Sequence, residues 1–111
     1  MWLFVSGGFV SIVAHRDKPS HLLIRARHPG HIGALFPDYE PMVLDSADYR
    51  YRIVVRRTAV QRAISHYLAG MEYDNFKASI PDEPYHDVCL DVWRTMWSYG
   101  CKEWRGLNEN K

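Results

Sequence analysis

The period of apolar and polar positions changes along this chain, and the changes mark out its elements. Residues 2–5 and 9–15 flank "SGG" and are rich in Trp, Phe, Val and Ile, which predicts a β-hairpin closed by a tight turn. "HLLIRAR" (21–27) is a third strand after the turn "DKPS". In "HPGHIGALFP", Pro29 stands where a first helical position would be and Pro37 as a stop. The spacing there predicts a short helix of about two turns. "PMVLD" (41–45) reads as a weak fourth strand, and "YRYRIVVRR" (49–57) as the fifth and strongest.

Thr58 opens a helix, with Gln61 three residues on to close a capping box. Inside it Val60, Ala63, Ile64, Tyr67, Leu68 and Met71 fall on one face, and Gly70 sits where the helix should end. A second helix is expected over 84–99, with Asp82 or Glu83 near its start and Gly100 after its end. The expected fold class is therefore α+β. It is a mainly antiparallel sheet of about five strands, with two C-terminal amphipathic helices on one face. One domain is expected over 1–100, followed by a polar tail over 101–111 whose apolar residues are Trp104 and Leu107.

Strand alternation assigns sides. In the fifth strand Tyr49, Tyr51, Ile53 and Val55 point one way, and Arg50, Arg52, Val54 and Arg56 the other. If the apolar sets face the helices, the open face collects Arg25, Arg27, Arg50, Arg52, Arg56 and His15. Like charges across a sheet destabilise it, so these arginines want counter-charges. Carboxylates folded over from Asp38, Glu40, Asp45 and Asp48 would supply them, as would an anionic partner. Arg rather than Lys at every such position favours bidentate recognition of carboxylate or phosphate.

The final helix is too apolar for one packing surface. Its polar side holds only Asp87, Asp91, Arg94 and Ser98, and Trp93 and Trp97 lie together at one edge of a wide apolar arc. A helix packed on a sheet needs a stripe of roughly 100°. The surplus predicts contact with the preceding helix, the tail or another molecule, and Trp93 and Trp97 are the candidate interface residues.

Composition limits the alternatives. A chain of 111 residues with 24% charged residues is ordinary globular usage, and a net charge of +1 gives no global attraction to nucleic acid or membrane. Two cysteines, Cys89 and Cys101, do not make a disulfide framework, so a reducing compartment and a cytoplasmic location are expected. The apolar start lacks a basic n-region and is broken by "SGG", which argues against a signal peptide and a membrane span.

Candidate chemistry is thin. His28 with His31, and His86 with Cys89, are three apart but have no second ligand pair, so no metal and no cofactor is expected. Asp87 and Asp91 share the polar side of the last helix, where Arg94 can pair with Asp91. Cys89 projects near the middle of the apolar arc, a core position rather than a nucleophile. No Gly-rich loop leads from a strand into a helix, and the expectation is that the protein is not an enzyme.

"MWLFVSGGFVSIVAHRD", "LLIRARH" with "ALFP", "ADYRYRIVV", "YDNFK" and "YHDVCLDVWRTM" occur in this order. Together they resemble a group of short proteins of about this length from bacteria and from phages of actinobacteria, a group with no assigned activity. The resemblance runs from Met1 to about Tyr99. It implies a cytoplasmic protein encoded by a phage or mobile element that binds a host component, an analogy with no mechanism attached. The functional expectation is a small non-enzymatic protein acting through protein–protein contact, with a host component or with itself. The alternative is nucleic-acid binding along the arginines. It is weakened by the near-neutral charge and by Tyr49 and Tyr51 pointing away, since single-strand binders add aromatic platforms to the basic face.

Overall fold

The computed structural model describes residues 1–109. Strands β1 (Trp2–Val5), β2 (Gly8–Ala14), β3 (His21–Ala26), β4 (Met42–Val43) and β5 (Tyr51–Arg56) form one sheet in the order β1-β2-β3-β5-β4. Every neighbouring pair is antiparallel. Helix α1 (Arg57–Ala69) continues directly from β5, and α2 (Glu83–Glu109) is 27 residues long. The α+β class, the five antiparallel strands and the two C-terminal helices stand as expected.

Period-two alternation decides what each face holds. Leu3 and Val5 of β1, Val10 and Ile12 of β2, Ile24 and Ala26 of β3, and Ile53 and Val55 of β5 gather in one core with Val60, Ala63, Ile64 and Tyr67 of α1. Ile24, Val10 and Val55 are wholly or almost wholly buried there. Burial of side chains of this size is worth about 1.5–3 kcal/mol each. The segment between β3 and β4 adds Ile32, Leu35 and Phe36 to the same core.

The two helices were expected on one face of the sheet and instead take opposite faces, because alternation says which strand residues share a side but not which helix covers it. α1 covers the face just described. Phe4 and Phe9, paired across β1 and β2, point to the other face, and there they meet Phe76, Ile80, Tyr85 and Cys89. The connection between the helices reaches that side by wrapping the hairpin turn. Ser6 Oγ lies 2.6 Å from Ser79 Oγ, and the Ser6 N–H donates to the Tyr67 hydroxyl at 3.1 Å.

Several local expectations are corrected. The helix expected over 28–37 is a single 3₁₀ turn, Ile32–Ala34, because tight turns let Ile32, Leu35 and Phe36 all reach the sheet. The Thr58–Gln61 capping box is absent: α1 begins at Arg57 with no side-chain cap. Strand β3's approach provides instead, since the Arg57 N–H donates to the Ser20 carbonyl at 2.9 Å and Arg57 Nε to the Pro19 carbonyl at 2.7 Å. Gly70 does end α1, its N–H returning to the His66 and Leu68 carbonyls. Leu68 and Met71 are exposed rather than buried on the core face of α1. Gly100 does not end α2, which runs on to Glu109. A glycine inside a helix costs only about 1 kcal/mol. The expected tail over 101–111 is thus helical through Glu109. Asn110, Lys111 and the side chains of Trp104 and Leu107 lie outside the described residues.

Two histidines hold the hairpin against the 28–36 segment. The Phe9 N–H donates to His31 Nδ1 at 3.1 Å, and the His28 ring stacks on His31 at 4.6 Å. The backbone of Gly8 carries the His31 ring so closely that a Cβ there would sit 2.6 Å from His31 Cγ. Gly8→Ala is therefore expected to destabilise the fold by about 1–3 kcal/mol, read from the midpoint of urea unfolding.

Burial, followed by the neighbouring His28, holds the His31 imidazole below its ordinary pKa, with Asp82 pulling the other way. Donation from the Phe9 N–H also occupies the Nδ1 lone pair that a proton would need. The unfolded chain then binds this proton at the ordinary value of 6.5 and the folded chain only at lower pH. Stability is expected to decline as pH falls below 6.5 and to level off once folded His31 protonates. In His31→Gln the drop in melting temperature from about pH 7 to about pH 5 should shrink. His21, also held low by burial and by Arg56, contributes equally in both chains.

Candidate functional site

Two surfaces remain open once the core is built, and both were flagged by the sequence. The first is α2. Asp82 starts it by accepting the Tyr85 N–H on its carboxylate at 3.1 Å and the His86 N–H on its carbonyl at 2.9 Å. One turn apart, Tyr85 and Cys89 bury against Ile80, Phe4, Phe9 and Phe76. The Tyr85 hydroxyl donates to the Val5 carbonyl at 2.9 Å. Burial pushes the Tyr85 phenol and the Cys89 thiol upward, so both are held neutral.

Beyond Cys89 the same stripe goes on with little to cover it. Met96 lies seven residues past Cys89 and so on the same side of the helix. It is 59% exposed, beside Trp93 at 49% and Trp97 at 61%. Val88 and Tyr99, at the opposite edge of the arc, are exposed too. Lys77 reaches over, its Nζ 4.3 Å from the centre of the Trp93 ring. Between them Phe4, Phe76, Lys77, Val92, Trp93 and Met96 line an open groove of ≈ 590 Å³. A 27-residue helix is about 40 Å long, and the molecule's longest dimension is 51 Å. Trp93 and Trp97 therefore stand where the sequence placed them, at one edge of an apolar arc. The first expectation for the surplus arc, burial within the domain against α1 or the tail, is not met at Trp93, Met96 and Trp97, which stay exposed.

The second surface is the far side of the sheet. Arg25 and Arg52 are directly opposite each other across β3 and β5, with Leu23 opposite Val54 two residues along and Met42 opposite Arg52 on β4. The Arg25 Nη2 donates to Ser11 Oγ at 2.9 Å and the Arg52 Nη2 to the Tyr49 carbonyl at 3.3 Å. Arg27 is drawn aside into a two-pronged pair with Asp48, both prongs 2.9 Å. That contact raises the Arg27 pKa and lowers the Asp48 pKa. Arg50 precedes β5 and is exposed, and Arg56 ends β5 opposite His21. His15 belongs to the turn, accepting the Asp17 and Lys18 N–H groups on Nδ1.

Tyr49 is placed differently from the alternation argument. It was expected beside Ile53 in the core, yet β5 begins only at Tyr51 and the period does not extend back to it. Its ring is buried under guanidiniums, 4.6 Å from Arg25 and 4.2 Å from Arg27. Of the loop carboxylates proposed as counter-charges, Asp48 alone forms an ion pair with a strand arginine among the described residues.

The remaining candidates resolve into ordinary contacts. His28 Nδ1 accepts the Gly30 N–H. Asp91 pairs with Arg94 at 3.5 Å on the exposed side of α2, and Asp87 lies 3.4 Å from His86 Nδ1. No group of three or more metal-ligating side chains occurs among the described residues. Cys89 and Cys101 are both free and lie about 18 Å apart along one helix, which precludes a disulfide between them. No helix of the described residues is long and apolar enough to cross a membrane. Compared with models of known protein families, with curated proteins and with solved structures, the chain gives no match.

Tyr85→Phe isolates the anchor of α2. It removes one of the hydrogen bonds to the Val5 carbonyl, for an expected loss of about 0.5–1.5 kcal/mol. Amide exchange in residues 83–90 should accelerate more than in the β3–β5 ladder.

Proposed function

We propose that this is a small non-enzymatic binding protein that docks the free part of α2 onto another protein. The observation that supports this most directly is the continuity of one apolar stripe. Tyr85 and Cys89 are buried by the sheet, and Met96, Trp93 and Trp97 continue the arc uncovered. Their exposed surface, with Val88 and Tyr99, is on the order of 600 Å², given what aromatic side chains carry. That is at the top of the range for a monomer's largest apolar patch and near the roughly 800 Å² each partner contributes to a standard interface. Trp, Tyr and Met are also the side chains enriched at the centre of such contacts.

A binding role suits the rest of the site better than a catalytic one. The Cys89 thiol is pushed up by burial, away from the thiolate a nucleophile needs. Asp87 and Asp91 stand on an exposed helix side, with Asp91 paired to Arg94. The alternative reading, nucleic acid along the arginines, has a weaker basis. Arg27 is neutralised by Asp48, and Tyr49 is buried beneath arginines rather than open for stacking. The resemblance to phage-borne proteins extends the proposal to a host component as the partner, in the cytoplasm.

Photo-crosslinking in the expressing cell tests it. A benzophenone amino acid placed at Trp97 should give a discrete crosslinked species, either with another protein or with a second copy. The same group at Asp87 on the polar side should not. Equal, diffuse labelling from both positions would sink the proposal. Trp93→Asp should reduce the Trp97 crosslink at least about ten-fold, as loss of an interface anchor does.

A further inference from the structure

The pairing of Arg25 with Arg52 is unusual for a sheet that has its own acids nearby. Two like charges directly opposite are destabilising, and among the described residues neither has a carboxylate partner. Both are partly buried, and the Nε–H of each is shut away from water with no acceptor. An anion at the surface therefore meets each guanidinium through its outer nitrogens rather than through Nε. The surrounding contacts immobilise the forks without cancelling their charge. Ser11, almost fully buried, holds one Arg25 nitrogen, the Tyr49 carbonyl holds one of Arg52, and the Tyr49 ring backs Arg25.

We infer that Arg25 and Arg52 form a binding site for a single oxyanion group, a carboxylate or a phosphate, carried by a ligand with an apolar neighbour to that group. The planar guanidinium fork matches two oxygens of either group. Two forks fixed beforehand lose little entropy on binding. The apolar requirement comes from the surface beside the pair, where Met42 is exposed across from Arg52 and Val54 is exposed two residues along β5. A continuous track for a polyanion is not present, because Arg27 is paired to Asp48 and the Leu23–Val54 pair separates Arg25 and Arg52 from Arg56. The site lies on different strands and different residues from the α2 stripe, and its existence does not depend on what α2 binds.

The test reads the arginine Nε–H resonances of the unmodified chain by NMR. It is titrated with inorganic phosphate, with butyrate and with sodium chloride at one ionic strength, and separately with a single-stranded oligonucleotide. The expected result is a saturable shift of two Nε–H signals by phosphate or butyrate, with chloride inactive. The stronger of the two oxyanions identifies the ligand class. Arg52→Gln should weaken that binding about ten-fold or more, and Arg52→Lys, which keeps the charge but not the fork, by an intermediate factor. Trp93→Asp should leave it unchanged. No saturable shift, or one that chloride reproduces, overturns the inference. So does an oligonucleotide that shifts the same two signals with a steep salt dependence and is weakened by Arg52→Gln, because the pair would then belong to a polyanion track.

Discussion

One hydrogen bond, from the Tyr85 hydroxyl to the Val5 carbonyl at 2.9 Å, ties the C-terminal helix to the first strand. The architecture downstream of it follows from where that tie is made. Because Tyr85 and Cys89 are buried at the open-face end of the β1–β2 hairpin, α2 starts at the edge of the sheet, on the side that α1 does not occupy. A 27-residue helix docked by its first two turns has nowhere within the domain to bury the rest of its stripe. The exposure of Trp93, Met96 and Trp97 is thus a consequence of the docking point rather than a separate feature.

The same geometry explains why the sheet has one dry face and one divided face. α1 is continuous with β5 and folds straight back over β3 and β5, so the aliphatic set of four strands is sealed in a single core. On the other side, the start of α2 covers Phe4 and Phe9 and leaves the middle strands without a layer. Their residues are mixed: Leu23 and Val54 next to Arg25 and Arg52. Long side chains partly cover such a surface themselves, and here Arg25 and Arg27 do so by lying over Tyr49. This self-covering neutralises Arg27 through Asp48 but leaves Arg25 and Arg52 uncompensated. Coulomb repulsion between them is tolerable because both side chains are only partly buried, and charge–charge energies near water are damped.

Both surfaces therefore arise at positions where local preference and tertiary placement disagree. The stripe on α2 satisfies helix formation and fails to find an internal partner, and the arginine pair satisfies the alternation of β3 and β5 while opposing like charges. Disagreement of this kind between levels of structure is where binding sites are expected.

Local patterning set the strands, the two helices and the sidedness of β3 and β5, because period two and period 3.6 are properties of the local backbone that any neighbour must accept. It also marked Trp93 and Trp97 and, without distinguishing among them, Arg25, Arg27, Arg50, Arg52 and Arg56, since a surplus apolar arc and repeated arginine are visible in the residue pattern. Tertiary structure alone decided the end of α2 beyond Gly100, where a single glycine is a small local penalty. It decided the position of Tyr49, which lies outside the β5 ladder and so outside its alternation. It decided which arginine received the one loop carboxylate, a matter of reach from Asp48. Above all it decided that α1 and the start of α2 take opposite sides of the hairpin. An amphipathic pattern states that a face must be buried but not against what, and only the path of residues 70–82 around Ser6 chooses the surface.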